Sequence, residues 1–356
     1  AIRRQRQMCI RDRLKTPLNH LKMAKKSKKI IPAPNDSFTW YLYWICERMD
    51  IFWRKYSGDR KPWTDDPILQ KYKFCNTYRC LDRVSQYLLS HVIYNGKDYE
   101  PEDMFYRILL FKHFNKIETW EAIEKELGDI TLNVELEDIA KCLDDMVKRG
   151  ITIYGSAYII NCCFYQLPEY SYMKGMSKHR AHFSVFQREI FDNGHIYDFL
   201  DAQSLEELFG VFRKMKIYGD FTAQQYAIDL NYSTLFNFDE NDFVITGPGS
   251  IRGIERTFED ARGCDYVGVI KWVHENFEEL MSHFEKETGM EFKPLPNRLP
   301  TLIDLQSTFC ETDKYLRARG LDTPGVKVKG VRMKAEYKES PKKIEYFFPP
   351  KWNIDL

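Results

Sequence analysis

No apolar run in this sequence approaches the roughly 18 residues a membrane-spanning helix needs, so no segment is expected to cross a bilayer. There is no C-x-x-C pair. The cysteines stand at 9, 46, 75, 80, 142, 162, 163, 264 and 310, an odd set without a secretory segment, which points to reduced thiols and away from a disulfide framework or zinc site. Neither charge sign is in excess, with 53 Lys and Arg against 52 Asp and Glu, so a polyanion would have to be held by local patches. Neither G-x-x-x-x-G-K-[ST] nor a kinase motif set occurs, and repeats and low-complexity tracts are absent. What is present is an ordinary globular composition: 356 residues, 44% hydrophobic and 15% aromatic, ample for one large domain or two.

Residues 1–22 are polar, basic and unlike the rest of the chain, and Gln7-Met8-Cys9-Ile10-Arg11-Asp12-Arg13 reads like a translated sequencing-library adapter. We read 1–22 as a processing scar, with Met23 as the expected start. Without it, 46 basic side chains face 51 acidic ones and the net charge moves from +1 to −5. Two basic patches remain, Lys25, Lys26, Lys28 and Lys29 at the front and Lys327, Lys329, Arg332, Lys334, Lys338, Lys342 and Lys343 near the end. Polyanion contacts and solubilising tails both suit them. The chain thus divides into a basic N-terminal segment (1–36), a main helical domain (37–323) and a basic extended tail (324–356).

Phe38, Tyr41, Leu42, Ile45 and Met49 recur at three- and four-residue steps, which predicts an amphipathic helix with Ser37 as its N-cap. Pro67 opens a second helix, and 78–94 reads as a third, ended by the Asn95-Gly96 turn. The same period predicts helices over 101–114, 118–127, 135–149, 183–191, 204–215, 223–230, 252–259, 267–288 and 302–319, with Gly150 as a C-cap. Residues 151–158 suit a strand or a buried helix, and Val326, Val328, Val331 and Met333 suggest a small hairpin or extended arm. The fold class is mostly α.

Four constellations carry polar chemistry. Lys216-Ile217-Tyr218-Gly219-Asp220-Phe221-Thr222-Ala223, between two helices, outlines a helix-hairpin-helix in which Gly219 leaves backbone N–H groups open to a DNA phosphate; a plain αα-hairpin fits the same residues. In Gly247-Pro248-Gly249-Ser250-Ile251-Arg252-Gly253, the residues Gly247, Gly249, Ser250 and Arg252, followed by Arg256, suit pyrophosphate, or simply a tight turn into a helix. Over 304–317, helical spacing aligns Asp304, Ser307, Glu311 and Lys314, for which exposed ion pairs are the ordinary explanation. The fourth runs from Phe52-Trp53-Arg54 through Pro62-Trp63-Thr64 to residues 73–88, where Arg79, Arg83 and Gln86 share a helical face suited to phosphate contact and base stacking, or to an ion-pair network with Asp82. His179, His182 and Cys162-Cys163 lack a further ligand at metal spacing and are read as packing or surface residues.

Together these segments resemble the α-glutamyl/putrescinyl thymine pyrophosphorylase family, the helical domain also found attached to 5-hydroxymethyluracil DNA kinases of phages. The resemblance rests on F-W-R, P-W-T-x-D-x-I-L, K-F-x-N-x-Y-R-x-x-D-R-x-S-Q-Y-L, G-x-F-x-A-x-Q-x-x-x-D-L, G-P-G-S-x-R-G and D-x-Q-x-x-x-C-E-x-x-K-Y, over roughly 38–320. It implies a helix-hairpin-helix, DNA-glycosylase-like fold with a small extended or β tail. It also implies a reaction on double-stranded DNA with a flipped modified thymine: an amine from an amino acid or polyamine replaces the pyrophosphate of 5-(pyrophosphoryloxymethyl)uracil.

Under that resemblance, Asp304 or Glu311 takes a proton from the incoming amine, and Arg79, Arg83, Arg252 or Lys314 offsets charge on the leaving pyrophosphate. Gln86, Gln225 or Gln306 reads the uracil edge, Trp53 and Tyr78 stack on the base, and Arg54, Asn76 and the glycine loops complete the DNA-binding set. No cofactor is fixed by the sequence; Mg2+, held by pyrophosphate and Asp304 or Glu311, is the candidate. Phe221 stands where bifunctional glycosylases place a lysine, so a Schiff base is not expected. Acids do fall at Asp239 and Asp242, which keeps a glycosylase with Asp242 as an alternative. A non-catalytic DNA-binding domain partnering a DNA-base kinase is another. The expected compartment is the cytoplasm of a bacterial or phage-infected cell.

Overall fold

The computed structural model describes residues 31–157, 166–192, 194–321, 334–340 and 344–356. Among them the chain is mostly helical and contains no β-strand; extended pairing is limited to isolated bridges such as Tyr72 with Glu336. The helices are α1 (Phe38–Tyr56), α2 (Pro67–Lys71), α3 (Arg83–Tyr87), α4 (Pro101–Phe114), α5 (Ile117–Leu127), α6 (Leu136–Lys148), α7 (Lys178–Phe186), α8 (Ile196–Leu200), α9 (Leu205–Lys214), α10 (Asp220–Asn231), α11 (Pro248–Thr257), α12 (Tyr266–Glu275), α13 (Phe277–Thr288) and α14 (Leu302–Ala318). No helix among the described residues is long and apolar enough to cross a membrane.

Two compact units emerge. One is drawn from Ala1–Asp82, Val244–Lys343 and Ile354–Leu356, the other from Arg83–Phe243 and Ile344–Asn353. The first is built on α1 and α11–α14. Phe38, Tyr41, Leu42 and Ile45 are buried, as their spacing requires, and Tyr41 stacks on Phe309 of α14 with ring centres 4.2 Å apart. Ser37 does not cap α1 with its side chain; its N–H donates to Asn35 Oδ1 instead. The predicted helix 267–288 is two helices, because Asn276 leaves helical geometry and turns both its N–H and its Nδ2 onto Trp272 O.

The loop before the second unit also departs from expectation. Residues 78–94 are not one helix. Arg79–Leu81 is a single 3-10 turn, Asp82 is extended, and α3 begins only at Arg83. The cause is Asp82, whose Oδ1 accepts from Asn76 N and Nδ2 and so folds the chain back on itself. Residues 334–337 run beside 71–73, with Lys73 N donating to Ala335 O and Tyr337 N to Lys71 O. The predicted tail hairpin at 326–333 lies outside the described residues, as do the basic patch at 25–29 and Cys162-Cys163.

In the second unit α9 and α10 pack on one another across the 215–219 turn, the outline that the helix-hairpin-helix and the plain αα-hairpin share. Ser204 caps α9 by accepting from Glu207 N, and Gly150 ends α6 with a left-handed φ of 75°. Described residues 151–157 form no strand: Gly155 N donates to Phe114 O, and Ile153 O accepts from Thr119 Oγ1. Lys351 of the tail donates to the carbonyls of Asn231, Ser233 and Phe236, tying the chain end to the exit of α10.

Candidate active site on α14

From Leu302 to Leu316, α14 is buried except at Ser307, Cys310 and Lys314. These three stand at i, i+3 and i+7 and so share one face, which Arg317 extends by another turn. The accessible stripe therefore differs from the predicted one. Ser307 and Lys314 belong to it, whereas Asp304 and Glu311 are each 3% exposed and point into the protein.

Glu311 is the hub of an ion-pair cluster beneath the stripe. Its Oε1 lies 3.0 Å from Lys314 Nζ, and its Oε2 lies 2.6 Å from Lys334 Nζ and accepts from Cys75 N at 3.1 Å. Burial raises its pKa, but the two ammonium groups outweigh burial and leave it below the ordinary value. For Lys314 burial acts downward, and Glu311 with Cys310 more than reverses it, so its pKa is raised. An anion locked this way is a weak base, which corrects the expectation for Glu311 as proton acceptor. Lys334, expected in a basic tail, is a fixed member of the cluster.

A second cluster surrounds Asp313, which has no solvent exposure. Arg256 Nε lies at 2.8 Å, Arg252 Nε at 3.2 Å and Arg317 Nε at 3.6 Å from its carboxylate. Arg256 also donates to Leu321 O, while its buried Nη2 has no hydrogen-bond acceptor. Across these two clusters five cations (Arg252, Arg256, Lys314, Arg317, Lys334) thus pair with two carboxylates (Glu311, Asp313). Such an excess beside an accessible face favours an anionic ligand.

The glycine loop contributes differently from expectation. Gly247, Gly249 and Ser250 do not form an open phosphate cradle. Ser250 is buried; its Oγ accepts from Gly247 N and from Gln306 Nε2 and donates to Gly247 O, closing the first turn of α11. A Cβ at Gly249 would lie 2.3 Å from Cys310 Sγ, and one at Gly253 would lie 2.0 Å from Phe309 O. The glycines serve close packing of α11 on α14, and that packing brings Arg252 to the stripe and the start of α11 to the thiol.

Asp304 holds a loop. Its Oδ1 accepts from Arg79 N at 2.7 Å and its Oδ2 from Thr301 N and Oγ1, both at 3.1 Å. Burial raises its pKa, but its oxygens are spent on these donors, so we correct its expected role from proton acceptor to positioning residue. Among the described residues no three His, Cys, Asp or Glu side chains gather as a metal site. Asn76 bridges Arg48 Nη2 and Asp82, orienting the loop that offers Cys75 N to Glu311.

Other expectations are also revised. Tyr78 is fully buried with its hydroxyl on Arg298 O, and Gln306 is spent on Ser250, so neither faces a base. Arg54 pairs along α1 with Asp50, and Trp53 Nε1 donates to Lys293 O. Arg79 is 4% exposed on its own turn and does not share a helical face with Arg83 and Gln86. In the second unit Arg83 pairs with Glu118, buried Gln86 accepts from Phe347 N, and Gln225 is buried within α10. Gly219 is exposed with open space around it, but Asp220 occupies the first turn of α10 and pairs with Arg213, which disfavours a phosphate there. Asp239 and Asp242 are exposed turn residues, not the shielded acid a glycosylase needs. His179 binds Asp144, and His182 packs on His113, as packing residues do.

Sequence reasoning passed over Asp313 and Arg48, and it gave Cys310 and Arg317 no site role. For Cys310 the signal was present in the three-residue offset from Ser307 and the four-residue offset to Lys314.

The described residues form a mostly helical protein with a cationic, thiol-bearing helix face. The chain belongs to the family described as the helical domain of 5-hmdU DNA kinase, whose model matches residues 35–323. It is similar to the 5-hmdU DNA kinase of Bacillus phage SP10, 24% identical over 322 residues that cover 87% of this chain and 50% of that protein. The chain thus spans about half the length of the curated relative it matches. No solved structure matches it.

Proposed function

We propose that this chain acts in thymine hypermodification of DNA, replacing the pyrophosphate of 5-(pyrophosphoryloxymethyl)uracil with an amine from an amino acid or polyamine. The observation that carries this reading is the excess of cations over carboxylates in the Glu311 and Asp313 clusters beneath the accessible stripe of α14. Lys314 and Arg252, which reach that stripe, stabilise the negative charge that develops as pyrophosphate departs. The name of the phage relative supports 5-hydroxymethyluracil as the origin of the modified base, with a DNA-base kinase supplying the phosphorylated form. Duplex DNA presents the thymine turned out of the stack, since one pocket must hold base, leaving group and amine together. With Asp304 and Glu311 committed elsewhere, the amine releases its proton to water at the open face.

A second reading is favoured by the family description and by the half-length match: a DNA-holding helical domain that serves a kinase without chemistry of its own. One experiment separates them. DNA carrying 5-(pyrophosphoryloxymethyl)uracil is incubated with the protein and a mixture of amino acids and polyamines, then digested for nucleoside mass spectrometry. A nucleoside heavier than thymidine by the donor is the expected result. Unchanged DNA with tight, salt-dependent binding would establish the second reading, and released free base would establish a glycosylase.

A further inference from the structure

We propose that the aromatic and basic surface formed by residues 55–63 and 337–339 holds an unpaired stretch of DNA strand; the inference rests on the DNA part of the reading above and concerns residues that the α14 stripe does not include. Two segments distant in sequence build this surface. Residues 334–337 run beside 71–73, with Lys73 N donating to Ala335 O and Tyr337 N to Lys71 O, and the Tyr337 ring thereby reaches the end of α1. Lys55 Nζ, from the last turn of α1, donates to the Tyr337 hydroxyl at 3.0 Å, and Trp63 is fixed by its Nε1–H on Asp59 O at 2.8 Å. The Lys55 and Lys61 ammonium groups lie 4.8 and 5.0 Å from the centre of the Trp63 ring. They lie 5.2 and 5.6 Å from the centre of the Tyr337 ring. Tyr56, next in the chain to Lys55, is 39% exposed.

What marks this surface is how its cations are held. Lys314 and Lys334 share the carboxylate of Glu311, so much of their charge is spent inside the protein. Lys55 instead rests on a hydroxyl and two ring faces, none of which neutralises it. Arg60 and Lys338 are exposed and have no carboxylate partner among the described residues; Lys61 has one, Glu339. Across 55–63 and 337–339 four cations (Lys55, Arg60, Lys61, Lys338) thus stand against two acids (Asp59, Glu339). Such cations favour a polyanion, which releases counterions on binding them, while rings that keep exposed surface favour a flat partner. One ligand meets both demands, a strand with regularly spaced phosphates and bases whose faces are free. Paired DNA supplies the phosphates but hides the base faces in its stack, and an acidic peptide matches the charge but not the rings. Unpaired strand arises wherever a thymine is turned out of the duplex for reaction.

The full chain is titrated into fluorescein-labelled oligodeoxythymidylate and into a duplex of equal length, and anisotropy is followed at several salt concentrations. We expect the single strand to bind more tightly. The triple variant Lys55→Gln, Arg60→Gln and Lys338→Gln, checked for an unchanged melting curve, should lose about tenfold or more in single-strand affinity, with a log–log salt slope smaller by about 2, at roughly 0.7 per phosphate contact. Trp63→Leu should lose about fivefold to a hundredfold with the salt slope unchanged, a separation that a merely structural role would not produce. The matched loss of charge in the second unit, Lys125→Gln, Lys141→Gln and Lys148→Gln, should leave affinity near wild type. Wild-type affinity in the triple variant, or equal losses for single strand and duplex, would overturn the inference and leave the function intact. Loss in the triple variant alone would leave a charged patch without base contact and overturn the assignment to an unpaired strand. A wild-type chain that binds neither DNA would overturn the DNA reading itself, and the inference with it.

Discussion

Gly253 lies on the backbone of Phe309: a methyl group at Gly253 would stand 2.0 Å from the Phe309 carbonyl oxygen. Backbone on both sides leaves nothing flexible to yield, so α11 and α14 must separate if a side chain is added. Gly253→Ala should therefore destabilise the first unit by about 3 kcal/mol, the upper part of the overpacking range. Gly219→Ala, where the nearest atom is 4.0 Å away and φ is negative, should change stability by about 0.5 kcal/mol or less. Urea denaturation of the two variants checks this, and equal losses would refute the packing role.

That contact also shows what the sequence made legible. Period alone located α1, α4, α11 and α14, because one or more faces of each are apolar at three- and four-residue steps. The glycines of G-P-G-S-x-R-G were legible as places that admit no Cβ, but a phosphate and a packed helix impose the same demand. The break at Asn276 was hidden because the apolar period continues across it and the break is made by a single side-chain amide. Asp82 was hidden for a related reason: a carboxylate three residues past Arg79 reads as a helical neighbour, and its bonds to Asn76 exist only in the folded loop. On α14 the polar residues were visible, but which of them face inward depends on the helices that cover them.

The Asp313 cluster should be strongly non-additive. Asp313→Asn leaves Arg252, Arg256 and Arg317 without their shared carboxylate, and loss of one partner of a buried pair costs about 3–5 kcal/mol. Arg256→Met, by contrast, removes the fully buried guanidinium whose Nη2 has no acceptor and leaves Asp313 with two arginines. The double variant should be more stable than the sum of the single losses predicts, by about 1–3 kcal/mol. A double-mutant cycle by thermal unfolding measures this, and simple additivity would show the two groups do not interact.

The Glu311 cluster fixes two limbs of the stability–pH profile. Glu311 has a lowered pKa in the fold, so its contribution is full above the ordinary glutamate value and is lost as pH falls through the folded one. Lys314 and Lys334 have raised values, so their contribution is full below the ordinary lysine pKa and is lost as pH rises through the folded ones. Lys334→Met removes one of the two cations that hold Glu311 down. Its loss of stability on acidification should be smaller than in wild type, and its alkaline loss should be smaller too. Melting temperatures across pH 2–11 test both signs (about the range between the carboxylate and lysine titrations), and an unshifted acid limb would remove Lys334 from the cluster.

Binding of inorganic pyrophosphate isolates the anion site from the chemistry. If the α14 stripe holds the leaving group, Lys314→Met should weaken pyrophosphate binding by roughly tenfold to a hundredfold, the size of a lost charge-assisted hydrogen bond. The same variant also leaves Glu311 with Lys334 and Cys75 N, so its fold is retained. Arg252→Gln should weaken binding while freeing Asp313 from just one of three guanidiniums. Arg213→Gln, on α9 and paired with Asp220 at the hairpin, should leave pyrophosphate affinity unchanged. Calorimetric titration at fixed salt gives the comparison. A loss confined to Arg213→Gln would move the phosphate site from α14 to the helix-hairpin-helix, because the two sets of cations share no residue.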